Sequence, residues 1–154
     1  MKKVRFLDIL SYSFFISNAQ KTEWAYEVEE FSSERGNPQF GANQVLGEPN
    51  AYPNGGESAV SWSPSKEENK KEEFIKVNFQ DRFNIKQIVV AQNFNPGAIK
   101  QVYLYNTNDR EFLVFDSETQ KPNSTGSLFS YILPEFTLYK VRAVKLILDT
   151  ELAA

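Results

Sequence analysis

Neither histidine nor cysteine occurs anywhere in the 154 residues. Their absence removes the ordinary zinc and copper centres, which are built from imidazole and thiolate. It also removes the Ser-His and Cys-His pairs of nucleophilic catalysis. No disulfide can form, but a domain of about 150 residues buries roughly 68–70% of the surface its unfolded chain exposes and needs no staples. The lack of cysteine therefore leaves the compartment open. A membrane-length apolar run is also missing, as are internal repeats and any long amphipathic helical stretch. What remains is the chemistry of oxygen: hard cations held by carboxylates, amides and carbonyls, or catalysis by paired acids.

The residues that are present point to β structure. Aromatics are abundant, with 13 Phe, 7 Tyr and 2 Trp, and such side chains favour pleated, half-buried surfaces. Hydrophobic residues make up 41% and charged residues 24%, the balance of an ordinary globule. The length suits one domain. Residues 74–79 (FIKVNF) alternate, with Ile75, Val77 and Phe79 on one face. Strands are also expected at 85–92 (IKQIVVAQ), 99–106 (IKQVYLYN), 112–116 (FLVFD), 128–133 (LFSYIL) and 140–149 (KVRAVKLILD). Turn signals separate them, notably 93–98 (NFNPGA). The spacing predicts an all-β sandwich or jelly roll. Residues 32–73 are rich in Gly, Pro, Asn, Ser and Glu and are expected to form a long ordered loop region. The charge run 65–73 (SKEENKKEE) reads as its solvated end.

The N-terminus has the pattern of an export leader. Residues 1–5 (MKKVR) are basic, 9–16 (ILSYSFFI) are apolar, and Ser17 and Ala19 place small residues at a cleavage site. The alternative for the same stretch is an amphipathic strand or helix. Residues 1–19 are expected to be removed, leaving a domain of 20–154. Without Lys2, Lys3, Arg5 and Asp8 the balance is 14 positive against 19 negative charges, a net −5. Such a surface offers no electrostatic reason to bind nucleic acid or anionic lipid.

Three blocks carry a family resemblance. The first runs from Phe31-Ser32-Ser33 through 42–50 (ANQVLGEPN) to 59–64 (AVSWSP); the second joins 74–79 to 85–92; the third joins 95–99 (NPGAI) to 102–105 (VYLY). Together they resemble the discoidin-like, galactose-binding-like jelly-roll modules of exported bacterial envelope proteins, some with OmpA-like anchoring domains or linked to type IX secretion. The resemblance spans most of residues 24–149. It implies a binding module of the periplasm, outer membrane or cell surface, within a larger multidomain protein. Modules of this type continue past their last strand with a Gly-Trp-Asn-type segment. This sequence ends Glu151-Leu152-Ala153-Ala154, so the resemblance implies a jelly roll lacking its final strand.

Binding residues are expected on loops at one end of the sandwich, 47–62 and 92–98. Tyr52, Trp62 and Phe94 are the aromatics nearest those turns, with Asn50 and Asn95 beside them. Rings stack on sugar faces and amides take hydroxyls, so glycan is the leading ligand class. Tyr52 is expected to be an exposed platform and Trp62 a core residue. The resemblance also implies a structural Ca²⁺ before the Trp, where Glu48, Asn50, Asn54 and Glu57 offer oxygens; no other cofactor is expected. The rival to glycan binding is a scaffold domain docking to envelope proteins. A carboxylate hydrolase is the third reading, resting on Glu27, Glu29 and Glu30. On a regular strand Glu27 and Glu29 would share a face, with Glu30 opposed.

Overall fold

A computed structural model describes residues 21–65, 71–116 and 126–153. The leader-like residues lie outside the described part. Among the described residues the chain forms seven strands, β1 (Glu27–Phe31), β2 (Glu72–Phe83), β3 (Gln87–Gln92), β4 (Ile99–Asn106), β5 (Glu111–Asp116), β6 (Ser127–Ile132) and β7 (Val141–Asp149). A 3₁₀ turn (Ala42–Val45) and one terminal helical turn, α1 (Thr150–Ala153), are the only helical elements there. Five strands form an antiparallel sheet in the order β1-β2-β7-β4-β5, and β3 pairs with β6 in a smaller second sheet. The fold is an all-β, jelly-roll-like sandwich. None of these helical elements is long and apolar enough to cross a membrane.

The alternation read in the sequence sets which face is buried. Ile75 and Val77 lie opposite Leu146 and Val144, which lie opposite Val102 and Leu104, so one face of the large sheet is a continuous apolar surface. Val102 and Leu104 are fully buried, and Ile88 and Leu133 of the small sheet's side pack with them in the core. Phe115 of β5 crosses to the second sheet, meeting Phe129 at 5.0 Å and Tyr131 at 5.5 Å between ring centroids, both edge-on. Tyr139 stacks on Phe112 at 4.0 Å.

Two sequence expectations change here. The charge run does not end in solvent: Glu72 and Glu73 open β2, and Glu73 is 1% exposed. The Ser32 hydroxyl donates to the Glu73 carboxylate and accepts from the Phe74 N–H at 2.8 Å, so a strand pairing places a carboxylate where local composition predicts a loop. In β1 the register slips between Val28 and Glu30. Glu27 faces Asn78 and Glu30 faces Lys76, positions that share a face of β2. The bulge, invisible to a period-two reading, therefore brings Glu30 to the face where Glu27 meets Asn78 and Glu29 meets Lys76.

Candidate ligand-binding cleft

The two predicted binding loops meet. Gly56 donates its N–H to the Asn93 carbonyl at 2.6 Å, and the Asn93 side-chain amide donates back to the Gly56 carbonyl at 2.6 Å. Gly56 has φ 113° and Asn95 φ 44°, left-handed conformations that Gly adopts freely and Asn tolerates. Gly97 N–H bonds to the Gln92 side chain at 3.2 Å, closing the turn after β3.

A cleft of about 1690 Å³ opens beside this clip. Asn50, Tyr52, Trp62, Phe94 and Asn95, all five of the residues predicted to bind ligand, line it. Their exposures differ from expectation. Tyr52 is half-buried, whereas Phe94, at 47% exposed, is the open ring of the set. Trp62 is also half-buried, with its indole N–H bound to the Ser33 carbonyl at 3.0 Å. It is anchored through its polar edge while its ring belongs to the cleft wall. Trp24 and Arg35 line the cleft too, and sequence reasoning passed over both. Trp24 stands outside the two loops from which the binding residues were drawn. Arg35 owes its place to contacts distant in sequence: it lies 3.5 Å over the Phe40 ring and pairs with Glu57 at 2.7 Å.

That ion pair takes up one member of the predicted calcium set. Glu57 faces a guanidinium, Glu48 and Asn50 are exposed, and Asn54 does not line the cleft. Among the described residues no three Asp, Glu, His or Cys side chains come together as a metal site.

The acids of β1 form a separate cluster. Arg142 Nη1 lies 2.8 Å from Glu29 Oε2 and Nη2 3.2 Å from Oε1, a two-pronged grip. Lys76 adds a contact at 3.1 Å and rests 3.9 Å over the Tyr105 ring. Asp109 and Asn78 hold the same guanidinium at 2.5 and 2.6 Å. The Arg142 hydrogen bond, followed by Lys76, holds the Glu29 carboxyl below its ordinary value against an opposing effect of burial. Burial, then the Glu111 carboxylate it donates to, pushes the Tyr105 phenol far above its usual range.

No family model and no curated protein matches this chain. Two chains of solved structures do. One, in a structure described as reduced XRCC1 bound to the DNA polymerase β catalytic domain, is 8% identical, with a TM-score of 0.58. The match covers 82% of this chain and 85% of that one. At that identity the likeness is one of fold.

Proposed function

We propose that this chain is a non-catalytic binding module that takes its ligand, a glycan, at the loop end of the cleft. The observation that carries the proposal is the convergence of Tyr52, Trp62, Phe94 and Trp24 with Asn50, Asn95 and Arg35 on one cleft. Aromatic faces pack against the apolar face of a sugar, and amide and guanidinium groups hydrogen-bond its hydroxyls. The loops are joined to each other by the Asn93–Gly56 clip, so the surface is preformed and costs little ordering on binding. A hydrolase reading finds less support. A general acid needs a raised pKa, whereas two cations hold Glu29 ionised. The setting we propose is the bacterial cell envelope, on the strength of the leader-like residues 1–19 and the discoidin-like blocks.

The scaffold reading keeps one observation of its own. Val89, Leu128 and Ile132 on the outer face of the β3–β6 sheet are exposed, as are Phe136 and Leu138 in the segment that follows. Exposed apolar groupings of this kind mark protein contacts. A glycan array probed with the full chain separates the two. We expect a retained glycan whose affinity falls at least tenfold in Phe94→Ala, with stability within about 0.5 kcal/mol of wild type because the ring is exposed. A folded wild-type chain that retains no glycan transfers the assignment to the scaffold.

A further inference from the structure

The cleft is larger than a sugar needs. At about 1690 Å³ it exceeds the roughly 300–1,000 Å³ of an ordinary small-ligand site. Its lining also has two parts. Asn50, Asn95 and Arg35, the polar groups offered to a glycan, lie on loops. Much of the remainder is apolar and belongs to strands. Val77, Phe79, Leu146 and Leu148 of the large sheet and Ile88 and Val90 of the small one line the cleft, and all six belong to the core cluster or pack against it. The cleft therefore continues from the loops into the space between the inner faces of the two sheets. Val77, Leu146 and Leu148 are only half-buried there, so part of their hydrocarbon surface is left uncovered. A sugar placed against them would bury hydroxyls beside side chains that neither donate nor accept, and each unpaired hydroxyl is costly. A hydrocarbon chain has no such groups and gains by leaving water.

The charges around the cleft specify the other end of such a ligand. Of the four described cations on the lining, three are matched by acids on the same lining. Lys21 meets Asp81 at 2.9 Å, Arg35 meets Glu57 at 2.7 Å, and Lys71 meets Glu151 at 3.4 Å. Glu23 and Glu48 add two more acids. An anionic head would have to compete with these carboxylates for every cation. Uncharged hydroxyls, which both donate and accept, can bond to either partner of a pair. We propose that the ligand is a sugar-headed lipid, with an uncharged saccharide at the loop end and an alkyl chain laid between the sheets. The inference rests on the glycan reading of the loop end and adds the tail to it.

Calorimetry on the full chain tests this with hexyl, octyl and decyl glycosides of glucose, galactose and maltose, each below its micelle concentration. Decanol and decyl phosphate serve as the headless and anionic probes. One molecule of glycoside is expected per chain, bound about tenfold more tightly for every two methylenes added. Phe94→Ala, at the loop end, should weaken all three lengths by the same factor. Val77→Phe and Val90→Phe, which fill the apolar part from opposite sheets, should abolish the gain from octyl to decyl while leaving the hexyl compounds within twofold. Binding that ignores chain length, yet still falls in Phe94→Ala, overturns the tail and leaves the glycan reading standing. Decanol binding as tightly as the decyl glycosides overturns both. Tighter binding of decyl phosphate overturns the uncharged head, and binding of several molecules per chain, or of none, overturns the proposal with wild-type protein alone.

Discussion

On one flank of the sandwich Phe115 of β5 reaches across to Phe129 and Tyr131 of β6, and the two sheets meet through aromatic edges. On the other flank, floor residues of β2 and β7 look onto a cleft that residues of β3 also line. Both flanks use the same apolar alternation and the same residue types. The difference lies in what stands opposite. β5 has a partner across the core, whereas β2 has loop residues and residues of β3. An alternating strand therefore declares that a face will be covered without declaring by what, and a binding site arises where the covering is partial.

Substitutions of matched chemistry on the two flanks test this contrast. The largest effect is expected at Leu104, fully buried on the closed side. Leu104→Ala should cost about 2–5 kcal/mol in chemical denaturation, as truncations that leave a cavity do. Trp62→Ala comes next, at about 2 kcal/mol, combining a half-buried ring with one lost hydrogen bond. A loss near 5 kcal/mol would return Trp62 to the core and shrink the cleft. The direct comparison is Val102→Ala against Val77→Ala, one side chain fully buried and one half-buried on the cleft floor. We expect about 2 kcal/mol for the first and less than half of that for the second, since the deleted methyls of Val77 leave a surface already partly open. Equal losses would mean that the cleft floor is covered.

The smallest effect concerns pH. Because Glu29 is held below its ordinary value of 4.5 in the folded chain, its contribution to stability is complete above that value and declines as acid protonates the folded form. The acid limb of the stability curve should therefore flatten in Glu29→Gln. An unchanged limb would show that the Arg142 and Lys76 contacts carry no net stability in solution.

The strands from Phe74 onward were legible because one face of each is buried, and burial writes a period of two into the sequence. β4 lies within the limits read from alternation alone. β1 was not legible as a strand, since its burial is slight and its acids answer to Lys76 and Arg142, far along the chain. The meeting of the 47–62 and 92–98 loops was legible from their turn residues. The half-burial of Tyr52 and Trp62 was not, because it depends on how far the second sheet reaches across the first. The Arg35–Glu57 pair on the cleft wall is likewise a contact between residues 22 apart, with no local signature.

The reciprocal bonds between Asn93 and Gly56 carry a consequence for any mutational map of the cleft. Each loop serves as the other's template, so the positions along both are energetically coupled and single-residue effects there will not sum. A substitution at Asn93 will register in the affinity of a ligand held by Asn50 or Tyr52, and an alanine scan would score it as a contact residue. A double-mutant cycle between the two loops is needed to tell the residues that touch the ligand from those that hold the touching residues in place.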